Sequence, residues 1–98
     1  MTFTQKIWQL ARKIPKGKVT TYKIIAKKLG TRAYRAVGNA LNKNRSKKVP
    51  CHRVVRSDGY VGGFAGGTKE KIRLLKKEGI KIKGKKIINF EDFLYWLR

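Results

Sequence analysis

Two short helical patterns that meet at Gly30-Thr31 constrain this chain more than any other feature. Thr21 precedes Tyr22, Ile25, Ala26 and Leu29, which recur at the spacing of one helix face, and Gly30 supplies the stop. Thr31 can cap the next helix, which runs through Arg35, Ala36, Val37 and Ala40 to about Asn42. Helix, glycine turn and helix together predict a helix-turn-helix, with the later helix in the recognition position. Upstream, Thr2 or Thr4 can cap a helix carrying Phe3, Ile7, Leu10, Ala11 and Ile14 on one side, ended by Pro15-Lys16-Gly17. Downstream, Val54-Val55 and Tyr60-Val61 flank a Ser57-Asp58-Gly59 turn and predict a small hairpin. Gly62, Gly63, Gly66 and Gly67 predict a loop that is either flexible or tightly folded, after which Thr68 can cap a helix with Ile72, Leu74 and Leu75, closed by Gly79. Residues 80–88 read as a hairpin about Gly84, and residues 90–97 as a short helix capped by Asn89. The expected fold class is α+β: a small helical helix-turn-helix domain, winged-helix-like, with short hairpins.

At 98 residues the expectation is one domain over 1–98, able to hide about two-thirds of its unfolded surface. Lys and Arg number 26 against 5 acids, a net charge of +21. A domain this basic calls for a polyanionic partner, with nucleic acid as the default; a lysine-rich adaptation for solubility is the plainer reading. One cysteine excludes an internal disulfide, and one histidine beside it cannot build a metal site unaided, so no metal is expected. A free thiol fits an intracellular protein, cytoplasmic or nuclear. No secretory signal pattern follows Met1, and no apolar run approaches the ~20 residues of a membrane span. A basic amphipathic helix can lie on an anionic membrane, but the chemistry around Cys51 points elsewhere and no membrane partner is expected.

Cys51 and His52 are adjacent in Pro50-Cys51-His52-Arg53-Val54. A thiol reacts as its thiolate, and a nearby imidazole, directly or through one water, can take the proton. A lone cysteine is commonly an inert buried hydrophobe; here it follows a proline, precedes the single histidine and sits between basic segments.

Pro-Cys-His-Arg-Val at 50–54 resembles the active-site signature of the O6-alkylguanine-DNA alkyltransferases, also called methylated-DNA–protein-cysteine methyltransferases. Thr21-Tyr22 with Ile25-Ala26 resembles that family's tyrosine-bearing helix, and Arg35-Ala36-Val37-Gly38 its recognition helix. Val61-Gly62 through Gly66-Gly67, and Leu74-Leu75-Lys76-Lys77-Glu78-Gly79, resemble its pocket loop and the helix that follows. The motifs fall in the family's order from Phe3 to about Gly79.

The resemblance implies a stoichiometric DNA repair protein acting on double-stranded DNA that carries O6-alkylguanine, as a monomer and without a cofactor. Its relay of cysteine, water, histidine and glutamate falls on Cys51, His52 and Glu78, and Tyr22 supplies the proton to guanine N3. Arg35 fills the gap left by the flipped nucleotide, entering from the minor groove. Ala36 and Gly38 let the helix come close, and Thr21, Tyr22 and Arg32 complete the expected DNA-binding set. Asn44 braces the active-site turn, while Pro50, Val54, Phe64 and Ala65 belong to the substrate pocket, with backbone groups at Cys51, Val54 and Ala65 holding the base.

The sequence also departs from the family pattern. It starts at the first helix of the DNA-binding domain, so the family's usual N-terminal domain is not expected. The stretch from Asn44 to Pro50 is about one residue shorter than the common pattern, with Arg45 where proline is usual. Phe64 and Ala65 stand where Tyr and Ser are frequent. These features and the tail around Asp92–Trp96 also resemble the alkyltransferase-like proteins, which bind alkylguanine but have the cysteine replaced. Cys51 is present here, which favours transfer over mere flagging of the lesion for excision repair. A third alternative is a basic chromatin protein with an incidental thiol.

Overall fold

The computed structural model describes every residue except Arg45, Lys47 and Arg98. The first helix, α1 (Phe3–Arg12), starts with a capping box: Gln5 N–H donates to Thr2 Oγ1 at 3.1 Å and Thr2 N–H donates to Gln5 Oε1 at 2.9 Å. Ile7, Leu10 and Ala11 form its buried stripe, and Gly17 turns the chain at φ +86°. Strand β1 (Thr20–Thr21) leads into α2 (Tyr22–Lys28), which Thr21 caps as expected through Ile24 N–H at 3.0 Å. Gly30 ends it at φ +71°. Helix α3 (Tyr34–Asn42) completes the helix-turn-helix and packs against both α1 and α2.

Thr31 does not cap α3. Its hydroxyl accepts from Ala33 N–H at 3.1 Å in a local turn, so the helix starts at Tyr34 without a side-chain cap. Thr68 likewise lies inside its helix, α4 (Thr68–Lys77), whose N-cap is Gly67 at φ +93°. Asn89 precedes α5 (Phe90–Phe93) in the left-handed region at φ +54° and makes no side-chain cap.

The expected hairpin between Val54-Val55 and Tyr60-Val61 is replaced by a different pairing. Strand β2 (Val54–Val55) runs parallel to β1, with Thr20 opposite Val54 and Thr21 opposite Val55. Both valines are fully buried, which requires cover on both faces, and alternation along the strand sends them to opposite sides. Val54 joins the helical core of Ile7, Leu10, Ile14, Ile25, Val37 and Leu41; Val55 joins a second cluster with Val19, Val61, Leu75, Ile80 and Ile87. Tyr60 bridges instead to Lys86 in the expected hairpin about Gly84, which forms from β3 (Ile82–Lys83) and β4 (Lys86–Ile87). The last residues are not helical to 97. Val19 N–H donates to Phe93 O and Tyr95 N–H to Val19 O, so the chain after α5 runs alongside Val19 and covers the free edge of β1. Among the described residues no helix is long and apolar enough to cross a membrane.

Candidate active site

Pro50 and Cys51 begin a single tight helical turn, Cys51–Arg53, that delivers the chain into β2. Cys51 is buried, and its sulfur accepts a 3.2 Å hydrogen bond from Asn44 Nδ2, which also reaches Val49 O at 3.2 Å. Asn44 thus ties Cys51 to the chain that precedes it. The Arg45 substitution lies outside the described residues. Burial pushes the Cys51 thiol up, against the pull of Asn44, the Lys71 charge and a backbone hydrogen bond. A thiol held protonated needs a base.

His52 follows Cys51 in the same turn. Burial lowers its pKa, with Glu78 working in the opposite direction, so the imidazole is neutral and can accept a proton. Its Nε2 lies 3.1 Å from Glu78 Oε2. An ionised carboxylate only accepts, so Nε2 carries the ring proton and Nδ1 is left as the basic nitrogen. Glu78 is held in turn by Arg53, whose Nε and Nη2 donate to its two oxygens at 2.9 and 2.6 Å. Burial alone would raise the Glu78 carboxyl, but hydrogen bonds from Arg53 and His52 bring it below the ordinary value. A third Arg53 nitrogen donates to Ile14 O at 2.9 Å and anchors the group to the end of α1. Cys51 and His52 make no direct hydrogen bond with each other.

Cys51 and His52 open into a cavity of about 620 Å³, with Asn44, Phe64, Ala65 and Gly66 also in its wall. Phe64 stands edge-on to His52, ring centroids 6.5 Å apart, and gives the cavity an apolar wall. Pro50 and Val54 are buried beneath Cys51 and do not line the cavity.

On the other side of Val54 stands Tyr22, half-buried, with its ring beneath α3: a Cβ added at Gly38 meets Tyr22 Cε1 at 3.9 Å. Behind it lies a residue that sequence reasoning missed. Lys71 has no solvent exposure, and its Nζ donates to Val54 O (2.6 Å), Gly63 O (2.9 Å) and the Tyr22 hydroxyl (3.2 Å). All three N–H groups of the ammonium are occupied. Tyr22 accepts from Lys71, and its own O–H donates to Gly63 O in a long hydrogen bond of 3.4 Å. Burial, then the Cys51 charge, raise the Tyr22 pKa, so the phenol stays protonated at neutral pH. Burial lowers the Lys71 amine to about 7. The signal available in the sequence was the i, i+4, i+7 spacing of Lys71, Leu75 and Glu78, hidden among the other lysines of α4. Arg53, quoted only as part of the signature, is the second missed residue.

Arg35 and Arg32 are exposed on and before α3, and Ala36 is half-buried at the same end. Thr21 differs from expectation: it is buried and its hydroxyl is engaged in capping α2, so it sits behind Tyr22 rather than on the surface.

A helix-turn-helix thus stands beside a cavity lined by Cys51 and His52, with Glu78 hydrogen-bonded to the imidazole. Residues 2–80 match the family model described as 6-O-methylguanine DNA methyltransferase, DNA binding domain. Two methylated-DNA–protein-cysteine methyltransferases are similar: that of Saccharolobus islandicus (strain L.S.2.15 / Lassen #1), 49% identical over 82% of this chain and 52% of that protein, and that of Methanothermobacter thermautotrophicus, 41% identical over 84% and 47%. The chain belongs to the 6-O-methylguanine DNA methyltransferase family and spans about half the length of the curated relatives it matches. Among solved structures, S. pombe Atl1 in complex with damaged DNA containing O6-carboxymethylguanine superposes with a TM-score of 0.83 at 30% identity, covering 95% of this chain and 94% of that one. Mycobacterium tuberculosis OGT in complex with DNA superposes at 0.76 with 38% identity, over 81% of this chain and 49% of that one.

Proposed function

We propose that this chain repairs O6-alkylguanine in duplex DNA by moving the alkyl group to its own Cys51. The observation that carries this reading is a buried thiol in a cavity wall, backed by the His52–Glu78–Arg53 chain. Duplex DNA hides the lesion in the base stack, so the nucleotide is turned out, with Arg35 taking its place from the minor groove. His52 takes the thiol proton through water, and Glu78 stabilises the imidazolium that results. The thiolate attacks the alkyl carbon in line, forming the C–S bond as the C–O6 bond breaks. Tyr22 gives its proton to guanine N3, so the base leaves neutral, and the Lys71 ammonium faces the phenolate left behind. The product thioether has no second thiol to reset it, so each molecule acts once, inside the cell wherever DNA is held.

A second reading is favoured by the match to S. pombe Atl1, which extends over nearly all of both chains: a lesion-binding protein that marks alkylguanine without removing it. Mass measurement after incubation with excess O6-methylguanine duplex separates the two. Transfer predicts one added methyl on Cys51 and then no more, and none on Cys51→Ser, which still binds duplex. Tight, lesion-selective binding with Cys51 unmodified supports marking, and binding without preference for the lesion supports a plain basic DNA-coating protein.

A further inference from the structure

The hairpin of β3 and β4 lies outside the 2–80 family match. It carries Lys81, Lys83, Lys85 and Lys86, all exposed, with no acidic residue until Glu91. Lys83 and Lys86 are directly opposite in the antiparallel register, a like-charge pair that weakens a hairpin left on its own. The hairpin is nevertheless firmly mounted: Val61 N–H donates to Lys85 O and Ile87 N–H to Gly59 O, both at 2.9 Å, and Ile80 and Ile87 are buried.

Its mounting point adjoins the proposed site of base entry. Lys86 Nζ lies 5.5 Å and Arg56 Cζ 5.7 Å from the centre of the Tyr60 ring, which is 43% exposed. The Arg56 stem and the Tyr22 hydroxyl flank Gly62, where an added Cβ meets them at 3.3 and 3.4 Å. Asp58 pairs with Arg56 at 2.8 Å, an exposed ion pair of little strength that a stronger anion can displace. Two cations are therefore gathered at one exposed aromatic ring, next to Tyr22, on a rigid support.

We propose that Arg56, Lys85 and Lys86 form a wing that grips the phosphodiester backbone of the duplex beside the flipped nucleotide, outside the reach of the helix-turn-helix. Backbone phosphates relieve the repulsion between the cations, and Tyr60 spaces them. The wing rests on the repair reading for its place beside the lesion, but its grip on duplex DNA is measurable without any chemistry.

The test compares wild type, Lys85→Gln/Lys86→Gln and Arg56→Gln in binding to undamaged and O6-methylguanine duplexes across a salt series. A Lys76→Gln/Lys77→Gln control removes the same charge from the exposed end of α4. Each phosphate that is no longer neutralised lowers the slope of log K against log salt by about 0.9. The double wing variant should drop about 1 to 2 in slope and bind roughly tenfold more weakly near 0.1 M salt, Arg56→Gln should drop about half as much, and the control should keep the wild-type slope. The substituted side chains are exposed, so thermal melting should not change. Reaction with free O6-benzylguanine should be unaffected in the wing variants; its absence in wild type as well would count against alkyl transfer and leave the slope comparison standing. Wild-type slopes in the wing variants, or an equal drop in the control, overturn the wing.

Discussion

Lys71 Nζ lies 3.2 Å from the Tyr22 hydroxyl and donates to it from a side chain with no solvent exposure. One buried amine thereby joins α4, the Gly63 loop, β2 and α2 at a single point. Its other two hydrogen bonds hold the carbonyls of Val54 and Gly63.

Lys71→Met should therefore destabilise the fold, by about 1–3 kcal/mol at neutral pH, because the buried Val54 carbonyl and the part-buried Gly63 carbonyl lose their donor. The effect should also depend on pH. The amine titrates near 7 when folded and near 10.5 when unfolded, so the unfolded chain binds more protons between those values. Wild-type stability should rise with pH across that window, and the variant should lack this rise. Denaturant midpoints at neutral pH and near the upper end decide it; parallel behaviour of the two proteins would mean that Lys71 stays charged in the fold.

Tyr22→Phe and Arg35→Ala should fail at different steps. The phenylalanine keeps the ring beneath Gly38 but loses the proton donor, so transfer should slow by about 10²-fold on duplex and on free O6-benzylguanine alike. Arg35 is exposed and does not line the cavity that holds Cys51, so its removal should slow the duplex reaction and leave the free base unaffected. Equal slowing of both substrates by Arg35→Ala would remove its proposed role in holding the base out.

The pH profile of transfer should report His52. Because burial lowers its pKa, the imidazole stays a competent base below its ordinary 6.5, and the acid limb of the rate should fall below that value. Glu78 raises the His52 pKa through its hydrogen bond and charge. Glu78→Gln should accordingly move the acid limb to lower pH while reducing the plateau by about 10²-fold. A plateau drop with an unmoved limb would indicate that Glu78 supports the fold alone.

Much of this protein was legible locally. The helices, the Thr21 cap, the Gly30 stop and the Gly84 hairpin depend on interactions within a few residues, where spacing, capping and turn chemistry decide. Asn44 and Glu78 were singled out with Cys51-His52 because short motifs kept their order, and the structure hydrogen-bonds Asn44 to Cys51 and His52 to Glu78. What tertiary structure alone decided was pairing over long sequence separation. Val54-Val55 had a nearby partner in Tyr60-Val61 and took Thr20-Thr21 instead, because two fully buried valines need a core on each face. The tail after α5 took the free edge of β1 for its backbone hydrogen bonds, ending the helix early. Lys71 and Arg53 read as two more cations in a chain of net charge +21, and only the fold turns them inward. There each finds acceptors from distant segments, and the cost of burying a charge is met by the hydrogen bonds that shape the site.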